Sequence, residues 1–325
     1  MVKSIILAAG KGTRMKSDMP KVLHTIFEKT LLGYVIDAVN NTGIADENFV
    51  IVGHQAERVE EYINKNYDNA KCVLQSPQLG TGHAVSMAVP YLKDFEGEVV
   101  ILNGDLPLIT SDTIKEFIEY HRSKKSDVTV MSAVFDDPTC YGRIIRNSDG
   151  TLNSIVEEKD TNPEQKLVKE INVGCYCLNW SKVKNAFGEL KTDNAQGEYY
   201  LTDIVKWANN NKLYVNAYII KDNDETFGIN SKAHLAEASK MLNNRVINKL
   251  LNNGVQIIDP ATTWISPETE IEADTIIYPS TYIEGKNKIG KHWIIGPFAQ
   301  IRGEVVLEDY VKFGNFVEVK KTTIN

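Results

Sequence analysis

The sequence has no surplus of positive charge, since 36 lysines and arginines face 43 aspartates and glutamates and the net charge is -7 over 325 residues. Nucleic acids and anionic membranes are bound by broad basic surfaces, so neither is expected as the main partner. Any anion that the protein binds must therefore be small and must meet a local cluster of cations.

Long hydrophobic runs are also missing. The first apolar stretch, SIILAA, is far too short to cross a bilayer. The charged stretch KGTR follows it, where a signal peptide would carry small residues and a cleavage site. We therefore expect no membrane insertion and predict a cytoplasmic protein.

Cysteine is scarce, and its spacing does not suggest a metal site. Cys72 and Cys140 are isolated, while Cys175 and Cys177 form a C-x-C inside a strand-like run. No second pair follows at zinc-binding spacing, so buried thiols are expected rather than zinc ligands. This usage is typical of a reducing compartment.

Short apolar runs alternate with helical patterns through the first two thirds of the chain. The runs are Ser4 to Ala9, Asn48 to Val52, Lys71 to Leu74, Glu98 to Leu102, Asp127 to Phe135, Val173 to Leu178 and Leu213 to Ile219. Such alternation predicts a three-layer, Rossmann-like α/β domain with a mostly parallel sheet over residues 1–229. A linker helix is predicted over residues 230–253, since apolar residues share one stripe and Gly254 follows it.

After Gly254 the hydrophobic period changes to six. The positions at this spacing are Ile265, Ile271, Ile277, Ile283, Ile289, Ile295, Ile301 and Leu307. A six-residue period predicts a parallel β-helix over residues 254–325, in which each hexad supplies one short strand. The phase slips after Leu307, and we expect Val311 and Val317 to resume it. No capping element precedes Asn325, so we expect the sequence to be part of a longer chain.

The stretch GKGTRMKSDMPKVL, from Gly10 to Leu23, combines glycines with several cations directly after the first apolar run. Glycines let backbone N–H groups approach a phosphate, and Arg14 and Lys21 add charge, so the stretch predicts a phosphate-binding loop. A dinucleotide fingerprint would require glycine in place of Met15, and a P-loop would require Gly-Lys-Ser/Thr after four spacers. The glycines taken alone are also compatible with an ordinary strand-to-loop turn.

The whole stretch resembles the signature of the sugar-nucleotide pyrophosphorylases, LAAG-x-GTRM-x-S-x-x-PK-x-L. Further motifs follow in that family's order: QLGTGHAV, NGDLPLI, YGRI, IVEEKD, INVG, GEYYLTDIV and GIN. Together with the hexapeptide repeats, they are similar to the bacterial bifunctional enzymes of UDP-N-acetylglucosamine and cell-wall synthesis. Those enzymes join an N-terminal uridylyltransferase to a C-terminal acetyltransferase with a left-handed β-helix.

The resemblance implies that the phosphate of N-acetylglucosamine 1-phosphate attacks the α-phosphorus of UTP and releases pyrophosphate. A sugar phosphate is ionised at neutral pH, so the site needs no general base, but it must bring two polyanions together. The implied catalytic residues are Arg14 and Lys21. The implied UTP-binding residues are Leu7, Ala8, Gly10, Gly12, Thr13, Gln75, Gly80 and Thr81.

Metal and sugar ligands follow from the same resemblance. It implies that Asp105 and Asn230 bind Mg²⁺, an ion that prefers hard oxygen ligands. The implied sugar-binding residues are Gly142, Glu157, Asn172 and Asn230, with Tyr199 and Thr202 as further candidates. The sequence departs from the family pattern in Asn103, where an aromatic residue is common, and in GINSK, which replaces GVNNR.

Two residues near these motifs suggest other chemistry. His83 could act as a base, but the reaction does not require one, so we expect a structural role. Glu157 and Glu158 could suggest a glycosidase pair, but adjacent strand residues point to opposite faces, which excludes that mechanism.

In the β-helix, the resemblance implies that Arg302 and Lys320 bind the phosphate of the acetyltransferase substrate. The family's catalytic histidine and the asparagine and tyrosine beside it lie in later coils than this sequence contains. Acetyltransferase activity is therefore expected to be absent, and the coils are expected to assemble as a homotrimer.

Three alternatives remain open at this point. The first is a nucleotidyltransferase that uses another sugar 1-phosphate or dTTP. The second is a non-catalytic scaffold subunit of the same fold, although the joint presence of Arg14, Lys21, Asp105 and Asn230 argues against it. The third is an acyltransferase acting alone, which the missing later coils oppose.

Overall fold

The computed structural model describes residues 1–310 and 312–324. These residues form two compact units. The first comprises Met1–His24 and Thr30–Ser231, and the second comprises Thr25–Lys29 and the chain from Lys232 onwards. The predicted division into three parts, at residues 229 and 253, stays a prediction.

The strands and helices of the first unit alternate along the chain. Its strands are β1 Val2–Leu7, β4 Ala45–Val52, β5 Ala70–Leu74, β6 Glu98–Asn103, β7 Val128–Val134, β8 Arg143–Arg146, β9 Leu152–Val156, β10 Glu170–Asn179 and β11 Val215–Ile219. A short pair, β2 Thr25–Ile26 and β3 Lys29–Thr30, follows β1 in the chain, and its residues Thr25–Lys29 belong to the second unit. Its helices are α1 Leu31–Asn40, α2 Ala56–Asn66, α3 Thr81–Ser86, α4 Ser111–Ser123, α5 Trp180–Val183 and α6 Asp203–Asn210.

The main sheet has the strand order β11-β7-β10-β6-β1-β4-β5. Strand β10 runs antiparallel to both β6 and β7, while the other neighbours along this path are parallel. The prediction of a mostly parallel sheet is confirmed. The β8–β9 hairpin, which joins β10 through the pairing of Ile171 with Arg143, was not predicted, because its apolar runs are short and mixed with polar residues.

Successive residues of the central strands pack on opposite faces of the sheet. Ile5 belongs to the core on one face and Ile6 to the core on the other, and both are fully buried. A strand covered on both faces needs apolar residues at every position, which explains the continuous runs in the sequence. The same strands end together: Leu7 of β1 is in register with Asn103 of β6. The LAAG and NGD motifs that follow are therefore neighbours at one sheet edge.

The second unit consists of α7 Lys232–Asn252 and a series of short strands that form parallel sheets. The strands are β12 Gln256–Ile257, β13 Trp264–Ile265, β14 Glu270–Ile271, β15 Ile276–Ile277, β16 Tyr282–Glu284, β17 Lys288–Ile289, β18 Ile294–Ile295, β19 Gln300–Arg302, β20 Val306–Leu307, β21 Glu318–Lys320 and β22 Thr323–Ile324. Ile265 pairs with Ile283, and Ile283 with Ile301, so three hexads make one turn. The β-helix prediction is confirmed.

The predicted phase slip after Leu307 is wrong. Phe313 and Val319 continue the six-residue spacing, and both are buried, at 8% and 7% exposure. Phe313 was overlooked because the pattern counted aliphatic residues, although an aromatic ring also fills the coil interior. Val317 is only partly buried, and Val311 lies outside the described residues.

The cysteines are all free, but they do not share one environment. Cys175 and Cys177 are buried in β10, as predicted, and burial raises the pKa of Cys175 to about 12. Cys140 is exposed, so the prediction of a buried thiol is wrong there, because it lies in the loop before β8 and not in a strand. None of the helices in the described part of the chain combines the length and the hydrophobicity that a membrane span needs.

Candidate active site

A cleft of about 380 Å³ opens where β1 and β6 end. Many of the residues predicted to bind UTP or phosphate line it: Leu7, Ala8, Gly10, Lys21, Gln75, Gly80, Thr81 and Asp105. The other lining residues were not predicted to contact the nucleotide: Ala9, Val22, Gln78, Ala84, Asn103 and Glu198. Carboxyl ends of parallel strands are the usual place for ligands in open α/β sheets.

Lys21 brings three distant motifs together at this cleft. Its Nζ donates to Asp105 Oδ2 at 2.5 Å and to Asn230 Oδ1 at 3.2 Å. The Ile229 N–H donates to the Asp105 carbonyl at 3.0 Å, which holds the GIN segment against the end of β6. The side chains of Lys21 and Asp105 are only 15% and 19% exposed. Two oxygens thus converge on one cation in a sheltered site.

Gly12 allows Lys21 to take this position. Its φ is +58°, in the left-handed region, and a Cβ atom on it would lie 2.6 Å from Lys21 Cβ. Any side chain at residue 12 would therefore strain the loop and displace the lysine. Thr13 and Arg14 follow in the 3-10 turn Thr13–Met15, where both are exposed, while Met15 anchors the turn in the core.

We expect Gly12→Ala to weaken UTP binding about tenfold, because a residue with Cβ at positive φ costs about 1 kcal/mol and the clash moves Lys21 as well. Titration calorimetry with UTP measures this. Gly188→Ala is the matched control, since a Cβ there meets nothing within 4 Å. Equal UTP affinity in the two variants would contradict the assigned role of Gly12.

Gln75 is distant in sequence from the phosphate-binding loop at Gly10 to Leu23, but it lines the same cleft. Its backbone N–H donates to Val52 O at 2.8 Å, which fixes it at the end of β5. Its side-chain Nε2 is 3.0 Å from Gly80 O and 3.1 Å from His83 Nδ1. Gly80 has a φ of +113°, and a Cβ there would lie 2.6 Å from Tyr199 O, so glycine is required.

Three of the predicted sugar residues, Gly142, Glu157 and Asn172, form a second group around β8, β9 and β10, whereas Asn230 contacts Lys21. The Asn172 N–H donates to Gly142 O at 2.8 Å, and the Thr202 hydroxyl donates to Glu157 Oε1 at 3.2 Å. A Cβ on Gly142 would lie 3.4 Å from Glu157 Oε2, so these residues are close neighbours. Burial raises the pKa of Glu157. None of these residues lines the nucleotide cleft.

Asn103 connects the two groups. It lines the nucleotide cleft, and its Nδ2 donates to Val173 O at 3.3 Å on β10, next to Asn172. A Cβ on Gly174 would lie 2.5 Å from Asn103 Nδ2, so the glycine makes room for this contact. The departure from an aromatic residue at position 103 therefore places a hydrogen-bond donor between the two groups.

A buried ion pair lies next to the predicted sugar residues Gly142 and Glu157, and it was not predicted from the sequence. Arg143, which is 2% exposed, lies with its guanidinium 2.7 Å from Glu158 Oε2 and donates to the Tyr141 carbonyl. Each partner is adjacent in sequence to a predicted sugar residue, Gly142 or Glu157. The two residues meet because β8 pairs with β9, and no local sequence pattern predicts this ion pair.

We expect Glu158→Ala to lower the free energy of unfolding by about 3 kcal/mol, because it leaves the buried Arg143 charge without its partner. Denaturant unfolding measures this. The double variant Arg143→Met with Glu158→Leu should recover most of the loss, since no isolated charge remains. Lys169→Ala is the control, because its pair with Asp136 is exposed and should change stability by less than about 0.5 kcal/mol. A loss in Glu158→Ala no larger than in this control would refute the argument.

In the second unit, Arg302 and Lys320 are brought side by side. They are in register on β19 and β21, and Arg302 forms an ion pair with Glu318. The pair is exposed at both partners, so it leaves the guanidinium accessible to an anion.

A family model and two relatives match most of this chain. A family model described as nucleotidyl transferase matches residues 3–240. The bifunctional protein GlmU of Geobacillus thermodenitrificans is 42% identical over an alignment of 358 residues, which covers 99% of this chain and 77% of that relative. GlmU of Caldanaerobacter subterraneus is 48% identical over 298 residues, covering 92% of this chain and 64% of the relative.

A solved structure supports the fold assignment independently. A Bacillus anthracis protein described as a glucose-1-phosphate thymidylyltransferase superposes with a TM-score of 0.57 and 20% sequence identity. The match covers 74% of this chain and 95% of that chain. At this identity the likeness concerns the fold alone.

Proposed function

The chain belongs to the GlmU family of nucleotidyltransferases, and on that premise we propose that its cleft joins UTP and N-acetylglucosamine 1-phosphate to form UDP-N-acetylglucosamine and pyrophosphate. The observation that carries this proposal is the convergence of Lys21 with Asp105 and Asn230 at the end of the central strands. Phosphoryl transfer requires a cation, oxygen ligands for a metal ion and a glycine loop that binds phosphate, and this cleft has all three side by side.

In this proposal the nucleotide binds in the cleft and along the glycine loop. The backbone of Leu7, Ala8 and Gly10 and the side chain of Gln75 bind the uridine, together with Gly80 and Thr81. Gly12 and Thr13 bind the triphosphate through their backbone. Arg14 and Lys21 stabilise the negative charge that develops on the α-phosphate during attack. Arg14 is exposed and free to approach a ligand, whereas Lys21 must exchange its contact with Asp105 for a phosphate oxygen.

Asp105 and Asn230 fit Mg²⁺ in their chemistry, because both present hard oxygens and the two already share a cation, the Lys21 ammonium. Bound there with nucleotide phosphates, the ion would supply charge neutralisation. Among the described residues, no group of three or more histidine, cysteine or acidic side chains could hold a metal ion. The proposed site therefore depends on phosphate oxygens to complete its ligands.

The sugar phosphate is proposed to lie against Gly142, Glu157 and Asn172. Glu157 can accept hydrogen bonds from sugar hydroxyls, and Asn172 can both donate and accept. Since the attacking phosphate is already ionised, these residues bind and orient the substrate and abstract no proton. Asn230, in the same GIN segment that contacts Asp105, completes the sugar side.

The test is pyrophosphate release from UTP and N-acetylglucosamine 1-phosphate, with and without Mg²⁺. We expect metal-dependent release. Release only with another sugar 1-phosphate or with dTTP would support the alternative transferase. No release from folded protein with any of these pairs would contradict the enzyme proposal and favour the scaffold alternative.

For the second unit we propose assembly as a homotrimer through the β-helix, with Arg302 and Lys320 as phosphate-binding residues. The side-by-side register of these two cations supports the phosphate-binding part of the proposal. Light scattering of the purified protein measures the assembly state.

A further inference from the structure

Both side-chain amide protons of Gln75 are used in hydrogen bonds within the protein. Nε2 lies 3.0 Å from the carbonyl oxygen of Gly80, which can only accept a hydrogen bond. The atom facing it must therefore be the amide nitrogen, because a flipped side chain would set two acceptors against each other. This contact decides the orientation of the amide.

His83 takes the second proton. Its Nδ1 lies 3.1 Å from the same Nε2, and the contact is a hydrogen bond when Nδ1 accepts and the ring carries its proton on Nε2. Helix α3 holds the ring in place: the Gly82 N–H donates to Tyr199 O at 2.8 Å, and the His83 and Tyr199 ring centroids are 6.2 Å apart. His83 was expected to have only a structural role.

The amide oxygen of Gln75 is what remains for a ligand. Within residues 1–310 and 312–324, Oε1 makes no hydrogen bond, although Gln75 is only 3% exposed and lines the cleft. An oriented acceptor that is open only to the cleft favours a ligand that presents a hydrogen-bond donor and disfavours one that presents a lone pair.

We propose that His83 is a positioning residue for base selection: by fixing the Gln75 amide, it makes the cleft prefer a base with a ring N–H over one with a ring lone pair. Uracil and thymine carry that N–H between two carbonyls, whereas cytosine carries a lone pair there. The inference rests on the proposed function, since it takes the base of UTP as the ligand facing Gln75.

The experiment compares equilibrium binding of UTP and CTP to four proteins: wild type, His83→Leu, His83→Asn and Ser86→Ala. Leucine removes the acceptor, so the UTP-to-CTP affinity ratio should fall about tenfold. Asparagine can present an oxygen where Nδ1 stood, so the ratio should stay within about threefold of wild type. Ser86→Ala removes a hydrogen bond to the His83 carbonyl without touching the ring, and it should keep the wild-type ratio.

A wild-type ratio in His83→Leu would overturn the inference, and so would an equal fall in His83→Asn and His83→Leu. Loss of affinity for both nucleotides in parallel, with the ratio unchanged, would also overturn it, because that pattern indicates a merely structural role. The proposed function is read separately, from pyrophosphate release by the wild type. Its failure leaves the affinity ratio measurable, so the two failures can be told apart.

Discussion

Replacing Lys21 by alanine should lower kcat/KM for pyrophosphate release about 10²- to 10³-fold, the usual loss when a preorganised charge contact to a transition state is removed. Lys21 is the sheltered cation of the cleft and is aimed at the place where Asp105 and Asn230 meet. Steady-state kinetics with UTP and sugar phosphate measures the effect. We expect most of it in kcat, since Arg14 and the loop amides still bind the triphosphate.

Lys16→Ala provides the control for this variant. Lys16 belongs to the same motif, is exposed and does not line the cleft. Its replacement removes the same charge from the same loop and should leave kcat/KM within about threefold. A comparable loss in both variants would mean that the loop acts through its overall charge, and the specific role of Lys21 would then be wrong.

Asp105→Asn should lower activity by about 10³-fold and should raise the Mg²⁺ concentration needed for half-maximal rate. The change keeps the shape of the side chain but removes the charge that attracts a hard cation. The same replacement also deprives the Lys21 ammonium of its ion pair. Kinetics over a Mg²⁺ series separates weaker metal binding from a lower maximal rate.

Asp112→Asn is the matched control, because it makes the same isosteric change at an exposed aspartate in the first turn of α4. The double variant of Lys21 and Asp105 supplies a second check. Because the two side chains are in contact, their losses of activity should not add. The double variant should be only slightly less active than the less active of the two single variants. Full additivity, or a Mg²⁺ requirement unchanged in Asp105→Asn, would contradict a shared site.

The family and the general activity could be read from the chain before its fold was known. The GTRM and PK motifs, together with the later landmarks, predicted a sugar-nucleotide uridylyltransferase, and the match of residues 3–240 and the GlmU relatives confirm that prediction. The roles of individual residues stay predictions. The structure supports them unequally, because Lys21 and Asp105 line one cleft while Glu157 and Asn172 lie in a separate group.

Features that arise from local or periodic chemistry follow from the amino-acid sequence alone. Continuous apolar runs specify strands covered on both faces, a six-residue period specifies the coils, and glycines beside cations specify a phosphate loop. Which groups from distant parts of the chain come into contact depends on the three-dimensional packing. The contact of Lys21 with Asn230, the ion pair of Arg143 with Glu158 and the orientation of Gln75 by His83 depend on strand pairing and helix placement. Their cause is the packing of the whole domain, and no periodicity in the chain records which side chains that packing brings into contact.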